Sequence, residues 1–235
     1  MADLGITYEN LQDYVARFAG WAAKASWTSE NTSDFALILA RGLRLYYYPP
    51  ALPDKPRHEW SFLRKIGTLS LSVADGHDYD MPSDFSGVII GETMTYQKDS
   101  SQRRMGQLPY WQIASLLGKT SPSAAAPLYY ALRPKTYVSG TGQRWEALMY
   151  PTPDQSYTAE FQYIVNPEVV TAGQYVRGGA AYSELLIQSV LAAAEEYLDD
   201  DSNGPHKQAF MAQLMGAVRL DEAYLRQTAG EDTQP

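Results

Sequence analysis

Six consecutive residues, Asp199-Asp200-Asp201-Ser202-Asn203-Gly204, have the spacing of a calcium-binding loop. Oxygen ligands occupy alternate positions and glycine occupies the sixth, as in the first half of an EF-hand loop. The twelfth position of such a loop is a bidentate glutamate, and in this chain it is Phe210. Without that ligand we expect no metal ion here. The alternative interpretation is an acidic linker that ends one helix and places negative charge near the start of the next, where the helix dipole favours it.

Two other fragments of catalytic motifs are incomplete. Gly118-Lys119-Thr120 ends like a phosphate-binding loop, but the required earlier glycine falls at Ile113. His58-Glu59 begins like a zinc-protease motif, but the second histidine position is Phe62. The three histidines lie in different sections, and the chain contains no Gly-x-Ser-x-Gly elbow. We therefore predict no catalytic residue and no cofactor, and we expect that the chain is not an enzyme.

The composition is that of a folded chain with one large domain or two small ones. The 235 residues are 45% apolar and 20% charged, and they include 18 Tyr and 5 Trp. The absence of cysteine excludes disulfides, thiolate-bound zinc and a thiol nucleophile. No secretion signal is recognised, and the longest clean apolar run, Phe35–Ala40, is too short to span a bilayer. We expect a soluble protein, made in the cytoplasm, without membrane contact.

The net charge of −8 is distributed unevenly along the chain. Residues 1–66 carry eight basic and seven acidic groups, residues 67–177 carry eight and ten, and residues 178–235 carry three and ten. The acidic end argues against ordinary duplex binding, which requires Lys and Arg to neutralise phosphates. It permits a partner with a basic surface, or a surface that must not retain DNA. The alternative is a solvated acidic face that keeps the protein soluble.

Hydrophobic periodicity predicts helices at both ends of the chain. Thr7 caps a first helix, and a second helix runs from about Ser33 to Tyr47 with Thr32 or Ser33 as its cap. Ser183–Leu198 is apolar over much of its circumference, which predicts a central position among helices. Gly204-Pro205 starts a final helix, because proline suits the first turn.

The middle section changes to a period of two residues, which predicts strands. Thr68–Val73 alternates strictly, and Asp75-Gly76 predicts a hairpin turn after it. A short helix is predicted at Tyr110–Leu117. The remaining predicted strands are Val88–Tyr96, Leu128–Arg133, Trp145–Tyr150 and Tyr157–Val165. Five or six antiparallel strands predict a sandwich or a strongly curved sheet.

These elements predict an α+β fold. Residues 1–66 and 178–235 form a helical bundle from the N- and C-terminal helices, and residues 67–177 form an inserted antiparallel β-sheet or sandwich.

Four aromatic residues are candidate interface residues: Tyr46, Tyr47, Tyr48 and Trp60. Tyrosine and tryptophan offer large rigid contact areas with a polar tip, and they are favoured at protein interfaces. The alternative is that they cover the junction between the bundle and the sheet.

Several phrases of the sequence, taken in succession, resemble the head-to-tail adaptor (connector) proteins of tailed bacteriophages over about residues 5–228. The phrases are Trp60-Ser61-Phe62-Leu63-Arg64, Leu69-Ser70-Leu71, Asp78-Tyr79-Asp80-Met81-Pro82-Ser83-Asp84-Phe85, Gly142-Gln143-Arg144-Trp145-Glu146-Ala147-Leu148-Met149-Tyr150-Pro151-Thr152-Pro153 and the strand Tyr157–Val165. They read as turns and strand ends, so the resemblance carries no single-residue activity.

The resemblance implies a non-enzymatic part of the virion neck, made in the host bacterial cytoplasm. Such adaptors assemble, usually as a ring of twelve copies, beneath the portal protein. The ring extends the DNA channel for genome ejection, and it docks the next tail component: a nozzle, a stopper or a tail tube. DNA passes without sequence-specific binding. The terminal helices and the tail usually engage the portal, and the β section usually faces the tail.

In such a ring, acidic side chains on the channel wall repel DNA phosphates. We therefore expect some acidic residues of the C-terminal section to face the channel and the others to meet basic groups of the portal: Glu195, Glu196, Asp199, Asp200, Asp201, Asp221 and Glu222. The segment from Gly230 is expected to become ordered only against portal subunits.

Two other functions compete with the adaptor. One is a carbohydrate-binding β-sandwich module of a tail or secreted protein, which uses exposed Tyr and Trp but leaves the terminal helices unexplained. The other is a hydrolase with a dispersed site, which no motif supports.

Overall fold

The structure is a computed structural model that describes residues 4–53, 55–118 and 124–229. The chain divides into two compact units. The helical unit comprises Met1–Phe62 and Pro167–Pro235, and the β unit comprises Leu63–Asn166. The sequence predicts these boundaries at residues 66/67 and 177/178.

The helices are α1 (Tyr8–Phe18), α2 (Ser29–Tyr47), α3 (Tyr110–Leu117), α4 (Ser183–Leu198) and α5 (Pro205–Ala229). The strands are β1 (Arg64–Leu71), β2 (Asp78–Asp80), β3 (Phe85–Ile89), β4 (Thr93–Lys98), β5 (Ser101–Gln107), β6 (Tyr129–Pro134), β7 (Trp145–Tyr150) and β8 (Tyr157–Val165). The predicted α+β class is confirmed.

Capping boxes begin α1 and α2. Thr7 Oγ1 accepts a hydrogen bond from the Asn10 N–H, as its role as a cap predicts. Thr28 Oγ1 accepts from the Asn31 N–H at 3.1 Å, and the Thr28 N–H donates to Asn31 Oδ1 at 3.0 Å. The predicted start of α2 near Ser33 is therefore wrong, because the Thr28–Asn31 pair satisfies the helix start one turn earlier.

Helix α4 contacts α1, α2 and α5, and most of its residues from Leu185 to Glu195 are buried. The approach of α2 to α4 is close at Gly42. A Cβ atom at this position would lie 2.6 Å from the Val190 Cα atom, a distance that the backbone of α4 does not permit. The absence of a side chain at Gly42 therefore sets the spacing of these two helices.

We expect Gly42→Ala to destabilise the protein by about 1–3 kcal/mol, although alanine is the better helix former, because the added methyl group must push α4 away. Urea unfolding followed by far-UV circular dichroism measures this change. Gly216→Ala in α5 is the matched control. No atom lies within 4 Å of a Cβ there, and a gain of about 0.5–1 kcal/mol is expected. Equal effects of the two substitutions would contradict the close approach.

The eight strands form one mixed sheet in the order β1-β8-β4-β5-β6-β7-β2, and β3 also pairs with β8. The prediction of an antiparallel sheet is corrected at one place. Strand β5 runs parallel to β6, through Gly106–Tyr129 and Gln107–Tyr130. Helix α3 lies between these two strands in the chain, and such a crossover connection allows parallel pairing.

Three local predictions in the β unit are wrong. Strand β1 pairs with β8 and β2 pairs with β7, so the turn at Asp75-Gly76 does not join a hairpin. The predicted strand Val88–Tyr96 is interrupted, because Gly91 has a φ of +73° and bends the chain between β3 and β4. Strand β5 was missed because only Met105 among its side chains is buried.

One core joins side chains from all eight strands. Strand β8 alternates along its length, and Tyr157, Ala159, Phe161, Tyr163 and Val165 point into this core. On the other face, Ile113 of α3 packs against Ala131 and Leu148. Strands β6 and β7 are thus covered on both faces.

Candidate functional site

Three of the four aromatic candidates are buried within the helical unit. Tyr46, Tyr47 and Trp60 have exposed fractions of 1%, 3% and 1%. The Trp60 indole N–H donates to the Tyr46 carbonyl at 2.8 Å, and its ring stacks on Phe62 with centroids 5.4 Å apart. These side chains stabilise the unit and offer no surface area. Tyr48 is 38% exposed and stays a candidate for an interface.

Asp221 is fully buried and does not face solvent in this chain. Its carboxylate accepts hydrogen bonds from His58 Nε2 at 2.8 Å, from the Ser61 N–H at 2.9 Å and from the Tyr182 hydroxyl at 3.0 Å. Burial favours the neutral acid, but these hydrogen bonds outweigh burial and hold the pKa of Asp221 below its ordinary value. Asp221 therefore joins the segment before the β unit to α5.

The Ser61 hydroxyl also donates to Asp221, not to His58. A serine nucleophile requires its hydroxyl to donate to the histidine that removes the proton. Here the Asp221 carboxylate accepts hydrogen bonds from both the Ser61 hydroxyl and His58, so the arrangement holds segments of the chain together.

Glu195 is 4% exposed, and it also has a structural position. Its carboxylate accepts hydrogen bonds from the backbone N–H groups of His206, at 3.0 Å, and Lys207, at 3.3 Å. These N–H groups belong to the first turn of α5 and have no partner within the helix. Glu195 on α4 thus caps α5 with a negative charge at the favourable end of the helix dipole.

We expect Glu195→Ala to destabilise the protein by about 1–2 kcal/mol, because two partly buried N–H groups lose their acceptor. Thermal unfolding with Glu196→Ala as the adjacent control measures the difference. Glu196 makes a partly exposed ion pair with Arg41, and its loss should cost less than about 1 kcal/mol. An effect of Glu196→Ala that equals or exceeds that of Glu195→Ala would contradict the capping role.

The remaining acidic candidates lie at the surface of the helical unit. Glu222 forms an ion pair with Lys55 at 2.8 Å, and Glu196 pairs with Arg41. The side chains of the acidic run 199–201 are exposed, and Asp201 accepts a hydrogen bond from the Asn203 N–H at 2.9 Å. Among the residues that the structure describes, no group of three or more His, Cys, Asp or Glu could hold a metal ion.

A groove of about 440 Å³ on the helical unit is lined by several positively charged side chains. We call it the cationic groove, and its charged lining comprises Arg41, Arg44, Arg57, Lys207 and Glu196. Sequence reasoning could not join Arg41 and Arg44 to Arg57 and Lys207, because these residues come from different segments. The apolar lining includes Leu45, Tyr48, Pro50, Ala192 and Ala193.

The residues behind the family resemblance hold the β unit together. The Tyr79 hydroxyl donates to the Ser72 carbonyl at 2.7 Å and closes the turn before β2. Asp84 accepts from the Tyr163 hydroxyl at 2.6 Å and from Lys65 Nζ at 2.9 Å, which joins the start of β3 to β8 and β1. These contacts agree with the interpretation of the phrases as turns and strand ends.

The β unit also exposes aromatic and apolar side chains that sequence reasoning missed. Trp111 on α3 is 67% exposed, and so is Tyr137 in the loop between β6 and β7. Val138 and Leu128 are more than half exposed as well. Aromatic side chains of this size are available for contact with a partner.

These features define an α+β protein of two units. Its distinctive residues serve packing and contact. Residues 6–231 match the family model of the SU10 adaptor protein, and the chain belongs to this family. Membership confirms the resemblance to phage head-to-tail adaptors. A phage adaptor is a structural protein of the virion neck, and portal and tail proteins are its partners in general. No curated protein matches the chain.

No helix within residues 4–53, 55–118 and 124–229 is long and apolar enough to cross a membrane.

Proposed function

We propose that this adaptor assembles as a ring, of twelve copies, beneath the portal, extends the DNA channel and docks the next tail component. The observation that carries the proposal is the family match, which extends over residues 6–231 and so includes most of both compact units. The two units provide separate surfaces for separate partners. The ring has no catalytic function in this proposal.

The helical unit engages the portal and neighbouring copies. Helix α4 contacts α1, α2 and α5, and the cationic groove and the exposed acidic run 199–201 give this unit strongly charged surfaces of both signs. Charged surfaces orient partners and exclude wrong ones.

The β unit supports the tail. Exposed Trp111 and Tyr137 offer the large rigid contacts that dominate protein interfaces. The carbohydrate-binding alternative also uses exposed aromatic residues, but it leaves the helical unit without a role, and the family match includes that unit.

The acidic candidates divide into two groups. Glu195 and Asp221 are buried and serve the fold. We assign Asp199, Asp200 and Asp201 to the channel wall or the portal contact, because exposed carboxylates repel passing DNA phosphates. Glu196 and Glu222 are partly exposed and paired with Arg41 and Lys55, so we assign them a smaller share of the same surface. Electrostatic mapping of an assembled ring tests this assignment, and a net positive channel wall built from this chain would contradict it.

Sedimentation of the chain with assembled portal tests the function directly. We expect the chain to co-sediment with the portal up to a fixed stoichiometry, and we expect no binding to a panel of glycans. A chain that binds glycans and sediments apart from the portal would support the carbohydrate-binding module and contradict the adaptor.

A further inference from the structure

The cationic groove holds more positive charge than its own residues neutralise. Arg41 pairs with Glu196, whereas Arg44, Arg57 and Lys207 make no ion pair with any residue of the described part of the chain. Three such cations around one groove favour an occupant that carries carboxylates, since Arg and Lys bind carboxylates through charge-assisted hydrogen bonds.

The remaining lining of the groove is mostly apolar. Leu45, Ala192 and Ala193 contribute to it, together with Tyr48 and Pro50. The volume of about 440 Å³ is within the range of about 300–1,000 Å³ that is usual for ligand pockets. An apolar side chain bound here would be removed from water, while carboxylates beside it would meet the cations. The groove therefore fits a short segment that combines an apolar side chain with neighbouring carboxylates.

A nucleic-acid strand suits this groove less well than a short acidic peptide. Helix α4 lines the groove through Glu196, and the exposed acidic run 199–201 follows α4 directly. A nucleic-acid backbone carries a phosphate at every nucleotide, so a strand that continues past the groove would bring further phosphates close to these carboxylates, which repel them. A peptide with two or three carboxylates can end before it reaches them.

The described part of the chain contains one run of neighbouring carboxylates that are exposed and outside any ion pair, the run 199–201. This run adjoins the same end of α4 as the groove does. A head-to-tail contact between copies requires two complementary patches on different parts of each subunit, and these two patches lie together. The occupant that the charge favours is therefore a segment of another protein.

We propose that the cationic groove binds a short acidic segment of the portal protein, in which an apolar side chain lies beside two or more carboxylates. The inference rests on the proposed contact between the helical unit and the portal, and it names the chemistry of the portal segment. Arg44, Arg57 and Lys207 bind the carboxylates, and the apolar lining holds the side chain between them.

Charge reversal in the groove tests the contact through co-sedimentation of the full chain with assembled portal. Arg44→Glu with Arg57→Glu should weaken binding about tenfold or more, because like charges then meet in the groove. Arg17→Glu with Arg219→Glu is the matched control, because both residues are exposed cations of the helical unit outside any ion pair, and the change in net charge is the same. The control should weaken binding less than about threefold. Equal losses for the two variants would overturn the inference.

Carbodiimide coupling identifies the occupant. The reagent joins a carboxylate to an amine in direct contact, and Lys207 is the one residue of the groove lining with an amine side chain. Mass spectrometry of the coupled complex should find Lys207 joined to an Asp or Glu of the portal. Lys207→Arg is the control, because it keeps the positive charge and should retain portal binding while losing this coupled peptide.

The coupled products distinguish the possible occupants. Lys207 joined to Glu231 or Asp232 would show that the chain fills the groove itself, and Lys207 joined to no portal carboxylate would show that the portal does not fill it. Either result would overturn the inference. If the wild-type chain does not bind the portal at all, the proposed function fails. If the wild-type chain and the groove variant bind the portal equally, only the groove contact fails.

Discussion

Replacing Asp221 with alanine should destabilise the helical unit by about 3–5 kcal/mol, because several hydrogen-bond donors in the interior lose their shared acceptor. The substitution leaves His58, the Ser61 N–H and the Tyr182 hydroxyl without their shared acceptor in the interior. Urea unfolding followed by far-UV circular dichroism measures the loss.

The adjacent residue provides a matched control. Glu222 is also acidic and also lies on α5, but its ion pair with Lys55 is partly exposed. Glu222→Ala should therefore cost less than about 1 kcal/mol. If both substitutions had similar small effects, Asp221 would not be the residue that joins the segment before the β unit to α5.

The same network makes stability depend on pH in the acid range. Burial favours the neutral form of Asp221, but the hydrogen bonds from His58, Ser61 and Tyr182 outweigh it and lower the pKa in the folded state from the ordinary value of 3.8. The contribution of Asp221 is therefore fully present above the ordinary value, and it is lost as pH falls through the lower folded pKa. In Asp221→Asn this part of the acid dependence should disappear. An unchanged acid profile would contradict the assignment.

Replacing Trp60 with alanine should destabilise the protein by about 3–5 kcal/mol, the usual cost of removing a large buried aromatic side chain. The ring lies against Phe62 at 5.4 Å, Tyr182 at 5.4 Å and His58 at 4.7 Å between centroids. Its loss leaves a cavity and an unpaired Tyr46 carbonyl. Chemical unfolding measures the change.

Trp111→Ala is the control for tryptophan removal. Trp111 is 67% exposed, so its removal should leave stability nearly unchanged while weakening a partner contact. A stability loss for Trp111→Ala as large as that for Trp60→Ala would contradict the distinction between the buried and the exposed aromatic residues.

Local hydrophobic patterns predicted the elements whose structure follows from their own sequence. The bounds of α3, α4, β7 and β8 agree with the sequence prediction. In β8 the alternation of buried and exposed side chains is complete, and in α4 apolar residues surround the helix. The spacing of apolar residues indicates directly whether an element is buried on one face or on all sides. The structure of such segments can therefore be predicted without knowledge of their tertiary contacts.

Features that depend on distant partners could not be read in this way. Glu195 and Asp221 look like solvated acids, because their partners, the first turn of α5 and the segment with His58 and Ser61, lie far away in the chain. The same holds for the cationic groove, whose Arg57 and Lys207 come from separate segments. Strand β5 pairs through its backbone with little burial, so its hydrophobic pattern is weak.

Electron microscopy of the purified chain mixed with assembled portal tests whether the chain forms a ring there. We expect an additional ring on the portal, with twelve copies around a central channel continuous with that of the portal. Portal particles without added density, or copies of the chain bound at scattered positions without closing a ring, would contradict it.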